Sequence, residues 1–112
     1  MTNYLKNIDF ETVQELSSLV SFQKGQVISR TLAQNKHVSV TLFSFDQGEE
    51  ISSHSSKGDA MIHVFEGTAK ITIDDKDYIV EANKSIVMPA GKPHAVYAQT
   101  PFKMLLVVVF PE

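Results

Sequence analysis

Two histidines lie beside turn-forming residues in separate segments of the chain. One segment spans 48–67 and contains His54; the other, 88–94, reads Met-Pro-Ala-Gly-Lys-Pro-His and ends in His94. A neutral imidazole can bind a transition metal or accept a proton near neutral pH. The residues between the segments have a strand–hairpin–strand pattern, so the two rings could meet inside one small β-barrel. We therefore predict a site built around His54 and His94.

Composition narrows the class of protein that carries this site. A chain of 112 residues with net charge −3 and scattered Lys and Arg is one domain, and we expect no nucleic-acid partner. The absence of cysteine removes disulfides, thiolate metal sites and thiol nucleophiles. No apolar run approaches the roughly 18 residues needed to cross a bilayer, so we expect no membrane contact. The first residues lack a signal-peptide pattern, which favours a cytoplasmic location.

The elements that must position the histidines are short strands. Apolar-rich runs at 27–33, 37–45, 60–65, 69–73, 78–81, 85–88, 94–98 and 103–110 are separated by polar, Gly or Pro turns. In one of them Ala69, Ile71 and Ile73 alternate with polar residues, as in a strand with one wet face. We predict an all-β single-domain barrel over 26–112.

Residues 1–25 differ in texture and form an N-terminal extension packed on the barrel. Phe10, Val13, Leu16 and Leu19 recur at roughly helical spacing, with Asp9 as a candidate N-cap. Serines and β-branched residues are poor helix formers, so the prediction is a short helix or an irregular segment.

The last strand predicts an assembly. Residues 104–110 are apolar at both parities, which requires cover on both faces of the strand. No other long element of the chain is free to supply that cover, so we expect a homodimer.

The two histidine segments resemble the two motifs of the cupin family of jelly-roll β-barrels. Gly48, His54 and Gly67 match the first motif, and Pro89, Gly91 and His94 match the second in register; Asn83 and Ala98 depart from it. The resemblance covers most of 26–110. It implies a barrel that holds a metal ion on three histidines and one glutamate.

The departures fall on that metal site. The resemblance places the four ligand positions at His54, Ser56, Ala60 and His94, and only the two histidines are suitable donors. We therefore expect a divalent Zn, Fe, Mn or Ni ion to be held weakly, if at all. A third ligand could come from Asp59, Glu50, Gln99 or water. His63 has the wrong strand parity and is expected on the opposite face.

The remaining candidates shape a cavity. Met88, Tyr97 and Ser56 are the predicted ligand contacts beside the two histidines, and Phe43, Phe45 and Met104 are predicted lining or core. The serines around His54 lack a nucleophile elbow and an evident carboxylate partner, which argues against a serine hydrolase.

Three functions remain open on this reading. The first is a stand-alone cupin that binds a small molecule, with a degenerate metal site. The second is a metal-dependent cupin enzyme, such as a dioxygenase or an isomerase. The third is a structural or regulatory dimer whose barrel is closed by Met and Phe side chains. The sequence does not decide whether the protein is an enzyme.

Overall fold

The computed structural model describes residues 4–111 as a barrel of nine antiparallel strands with an N-terminal segment laid against it. The strands are β1 (Val27–Gln34), β2 (Val38–Phe45), β3 (Glu50–His54), β4 (Asp59–Glu66), β5 (Thr68–Ile73), β6 (Lys76–Glu81), β7 (Ser85–Met88), β8 (His94–Ala98) and β9 (Phe102–Val109). They form a five-stranded sheet in the order β1-β2-β9-β4-β7 and a four-stranded sheet in the order β3-β8-β5-β6. The predicted all-β jelly-roll fold is confirmed.

The core lies between the two sheets and follows from side-chain alternation. Ala69, Ile71 and Ile73 of β5 point inward and are buried, as their spacing predicts. The inner side chains of β9 meet them from the other sheet, and Phe45 of β2 stacks on Phe102 with ring centroids 4.5 Å apart. This packing fixes the distance between the sheets and therefore the width of the barrel.

The N-terminal segment contains a single 3-10 turn, Leu16–Leu19, and is otherwise irregular. Asp9 caps no helix, since the residue that precedes the turn is Glu15 and makes no side-chain cap. The apolar spacing was misleading because Phe10 and Val13 are exposed and do not form one buried stripe. The segment is held instead by the barrel, for Arg30 donates hydrogen bonds to the carbonyl oxygens of Asn7 and Leu19.

This segment covers part of the outer face of the five-stranded sheet. Val20 is buried there against Leu32 and Leu42, and Leu16, Leu19 and Leu105 pack around them. Leu105 lies on the outer face of β9. Part of the cover predicted for this strand therefore comes from the chain's own N-terminal segment. The apolar pattern of β9 alone does not reveal that this segment supplies cover.

The sequence of strand β3 does not distinguish a strand from a loop. Residues 50–54 form β3, which pairs with β8, although every residue except Ile51 is exposed. Ile51 alone is partly buried, so no alternation of apolar and polar residues marks this edge strand, which is why 49–56 resembles a loop in the sequence.

The helical structure of residues 4–111 is one short 3-10 turn. Within 4–111, the chain forms no helix with the length and apolar character required to cross a bilayer.

Candidate functional site

The structure brings the two predicted histidines together at one end of the barrel. His54 at the end of β3 and His94 at the start of β8 are direct cross-strand partners. Partners in an antiparallel pair project their side chains from the same face. The ring centroids are 4.4 Å apart with an interplanar angle of 69°, an edge-to-face contact. Two residues forty positions apart in sequence therefore form one site.

Hydrogen bonds fix the proton on the same nitrogen of both rings. The Nδ1 atom of His54 lies 3.0 Å from the Ser52 carbonyl oxygen, and that of His94 lies 3.2 Å from the Lys92 carbonyl oxygen. A carbonyl oxygen can only accept, so each Nδ1 must donate. In the neutral rings the lone pair therefore resides on Nε2.

Neither Nε2 has a hydrogen-bond partner among residues 4–111. Within the same residues, no side-chain nitrogen or oxygen that is sealed from solvent lacks a partner. The unpaired Nε2 of His94 is thus open to a molecule entering from solvent. The pair presents two lone pairs for a hydrogen-bond donor or a metal ion.

The two rings differ in their environment. His94 is only 5% exposed, whereas His54 is exposed. Burial, and next the neighbouring His54 ring, lower the pKa of His94, while the hydrogen bond to the Lys92 carbonyl partly opposes them. His94 therefore stays neutral, with its Nε2 lone pair retained, to lower pH than an ordinary histidine does.

Both rings line a small apolar cavity inside the barrel. Its volume is about 120 Å³, and its other walls are aliphatic, thioether or aromatic side chains: Phe43, Ile51, Ile62, Met88, Val96, Met104 and Leu106. A larger depression near Phe110, about 270 Å³, has exposed lysines on its rim and no histidine. Of the two, only the barrel cavity joins an apolar interior to the two imidazoles.

A turn between β7 and β8 sets the position of two cavity residues. Met88 ends β7 and His94 begins β8, so both are anchored by the same 89–93 turn. Gly91 within it has φ +81° and donates from its N–H to the Ser56 carbonyl oxygen at 2.8 Å. The backbone N–H of Ala90 donates to Asp59 Oδ1, also at 2.8 Å. These bonds tie the turn to the loop between β3 and β4 and to the first residue of β4.

Other predicted contacts lie elsewhere. Tyr97 lies outside the cavity lining, since it alternates with inward-facing Val96 and Ala98, and Lys70 Nζ lies 5.3 Å from its ring centroid. The hydroxyl of Ser56 accepts a hydrogen bond from the Gly58 N–H at 3.1 Å, which gives it a structural role in the loop. Phe45 is in the core and not in the cavity wall.

The residues of the cavity do not suit a divalent ion. Ala60 has no donor atom and is 1% exposed, and the Ser56 hydroxyl is engaged with Gly58. Asp59 is bonded to the Ala90 N–H, and His63 lies on the outer face, where its Nδ1 is 2.7 Å from the Ser85 hydroxyl. Residues 4–111 contain no cluster of three or more His, Cys, Asp or Glu side chains able to hold a metal. Two neutral imidazoles alone would leave such an ion mostly hydrated.

Several lining residues were missed by the sequence argument. Ile51 and Val96 are cross-strand partners that point into the cavity, and Ile62 and Leu106 are partners in the opposite sheet. The alternation that excluded His63 from the interior would have placed Val96 and Ile62 inside it.

Comparison with known proteins agrees with this fold. A family model described as a cupin domain matches residues 41–110. A crystal structure of a conserved protein of unknown function from Streptococcus pyogenes is 49% identical, with a TM-score of 0.98 over 99% of this chain and 97% of that one. A cupin superfamily protein from Desulfitobacterium hafniense is 36% identical, with a TM-score of 0.91 over 96% of this chain and 98% of that one.

The chain belongs to the cupin family. A further relative, a cupin 2 conserved barrel domain protein from Leptotrichia buccalis, is 40% identical over 84% of this chain and 46% of that one, with a TM-score of 0.82. No functionally curated protein matches the chain. Membership therefore defines the fold, and the chemistry must be argued from the cavity itself.

Proposed function

We propose that this protein is a stand-alone cupin that binds one small, mostly apolar molecule carrying an O–H or N–H group. The observation that carries the proposal is the pair of imidazoles that line an apolar cavity, each with its Nδ1 bonded to a carbonyl oxygen and its Nε2 without a partner in 4–111. An apolar wall with a few polar groups that fix orientation is the usual composition of a ligand pocket. The imidazoles lack protons to donate from Nε2, so a ligand must supply the proton of the hydrogen bond.

The volume of the cavity limits the size of this ligand. An apolar protein cavity of about 150 Å³ is known to hold benzene. The present cavity, at about 120 Å³, suits a single ring or a branched chain of similar size. The exposed His54 at the cavity mouth leaves room for a substituent to extend toward solvent.

Phenol and anisole provide a matched test of this proposal. Both fit as single rings, but only phenol can donate a hydrogen bond, so we expect phenol to raise the melting temperature more than anisole. His94→Ala should remove the difference between them. His63→Ala is the control, because that imidazole lies on the outer face. Equal shifts with phenol and anisole, or a phenol shift that survives in His94→Ala, would contradict the assignment.

A metal-dependent enzyme remains the second candidate, favoured by the two converged imidazoles alone. It would need a divalent ion held by His54 and His94 with water or substrate in the other positions, and such an ion should be retained weakly. Equilibrium dialysis with Zn²⁺, Fe²⁺, Mn²⁺ or Ni²⁺ present on both sides of the membrane tests it, since an enzyme of this type should then bind one ion per chain, and His94→Ala should not.

We also propose that the chain forms a homodimer through the outer face of the five-stranded sheet. Val40, Val107, Met61 and Val87 are consecutive partners across four strands and form one apolar row there. Met61 is 40% exposed and Val87 56% exposed, whereas Val40 at the other end of the row packs against the cluster formed with the N-terminal segment. A second copy presenting the same row would cover it.

A further inference from the structure

The cavity contains sulfur donors as well as imidazoles. Met88 and Met104 are both buried and line the same 120 Å³ space as His54 and His94. Core methionines usually serve as adaptable filling. Here two thioethers share a small cavity with two imidazoles whose Nε2 atoms carry lone pairs and have no partner in 4–111. Imidazole and thioether together are donors for a soft, singly charged metal ion.

We propose that His54, His94 and Met88 form a binding site for copper(I). The proposal uses the same cavity as the proposed function but does not depend on the organic ligand. Copper(I) accepts soft neutral ligands and low coordination numbers, so the missing third histidine and carboxylate do not count against it.

Charge favours a monovalent ion over a divalent one at this position. No carboxylate lines the cavity, so a bound ion would keep its full charge among apolar side chains. The cost of moving an ion from water into such surroundings scales with the square of its charge, so a monovalent ion pays about a quarter of the cost of a divalent ion of equal radius. The lack of a carboxylate in the lining therefore disfavours copper(I) much less than Zn²⁺ or Mn²⁺.

Backbone geometry identifies Met88 as the main sulfur ligand. Met88 and His94 flank the 89–93 turn, which is tied by two hydrogen bonds to the loop between β3 and β4 and to the first residue of β4. Met88 also lies directly across from Ala60, the position at which the family resemblance places the carboxylate ligand. Met104 lies further along the barrel, opposite Val64, and is less well placed for the imidazole pair.

Titration of copper(I) without oxygen, with bicinchoninate as the competing chelator, tests the site. The protein should bind one equivalent, and Met88→Leu should weaken binding by about tenfold or more, since leucine keeps the volume but removes the sulfur. Met61→Leu is the matched control, because this methionine lies on the outer face. X-ray absorption at the copper edge should detect a sulfur neighbour that Met88→Leu lacks.

Two results would overturn the proposal. One is copper(I) affinity unchanged by Met88→Leu, and the other is an absorption spectrum with nitrogen and oxygen neighbours only. Silver(I), which does not change oxidation state, should give the same stoichiometry and the same dependence on Met88. Phenol and copper(I) should compete, because both use the same Nε2 atoms. A phenol shift without copper binding would leave the proposed function standing and reject only the metal site.

Discussion

The two imidazoles are neighbours with unequal access to water, and this difference has a consequence for stability. Burial and the adjacent His54 lower the pKa of His94 in the folded chain. The unfolded chain therefore takes up this proton at higher pH than the folded chain does, and acid favours unfolding. The stabilising effect of neutral His94 is complete above the ordinary histidine pKa and declines below it.

We predict that the free energy of unfolding falls as the pH drops below 6.5, the ordinary value for histidine, and continues to fall until folded His94 is itself protonated. Urea unfolding measured across this range should show a smaller pH dependence in His94→Gln than in the parent protein. His63→Gln is the control, since that ring is on the outer face. An equally steep pH dependence in His94→Gln would mean that another group carries the effect.

Individual residues were predictable where strand parity and turn register agree. The convergence of His54 and His94 followed from the spacing of two turn motifs, and the outward placement of His63 followed from alternation. Tyr97 was expected near the ligand but lies three positions from inward-facing His94, so the same alternation would have placed it outside. The side-chain tautomers and the volume of the cavity depend on atomic distances that no sequence pattern contains.

The strands and the N-terminal segment differ in how clearly their sequences predict them. Strand β5 has one buried and one wet face, and its alternation predicted it correctly. Strand β3 has Ile51 as its only partly buried residue and pairs only with β8, so its sequence resembles a loop. The apolar residues of the N-terminal segment have helical spacing, but the segment forms only one 3-10 turn within the described residues. Arg30 of the barrel instead donates hydrogen bonds to its carbonyl oxygens at Asn7 and Leu19.

One of these anchors is a lysine with restricted exposure. Lys103 on β9 donates a hydrogen bond from Nζ to the Ser17 carbonyl oxygen at 2.9 Å, and its Nζ lies 5.0 Å from the Phe22 ring centroid. The Glu66 carboxylate is 3.8 Å away and half exposed, so it adds little. Lys103 therefore joins the N-terminal segment to the last strand.

We predict that Lys103→Met destabilises the protein by about 1–2 kcal/mol, because the Ser17 carbonyl loses a partner in a partly buried position. Urea unfolding measures this loss. Lys84→Met is the control, since Lys84 is exposed. The N-terminal segment should also become more sensitive to limited proteolysis in Lys103→Met, which a general loss of core packing would not confine to that segment.

On the scale of the whole molecule, the two sheets present different outer surfaces. The N-terminal segment packs on one part of the outer face of the five-stranded sheet, and the Val40–Val107–Met61–Val87 row runs from Val40, which packs against the same cluster, to the more exposed Met61 and Val87. Val109 extends this apolar surface and is 58% exposed. Contiguous apolar surface of this kind usually marks an interface. A two-fold axis through the row would bring it against itself, as a closed dimer requires.

We predict a dimer in solution that Met61→Lys dissociates, because the new charge would be buried at the centre of the interface without a partner. Light scattering during gel filtration gives the mass directly. Ile79→Lys is the matched control, for Ile79 is 55% exposed but lies on the outer face of the four-stranded sheet. A dimer lost equally in both variants would place the interface elsewhere, and a monomeric parent protein would contradict the homodimer. Because His54 and His94 open at one end of the barrel and the row lies on its side, ligand binding by Met61→Lys monomers should match that of the dimer.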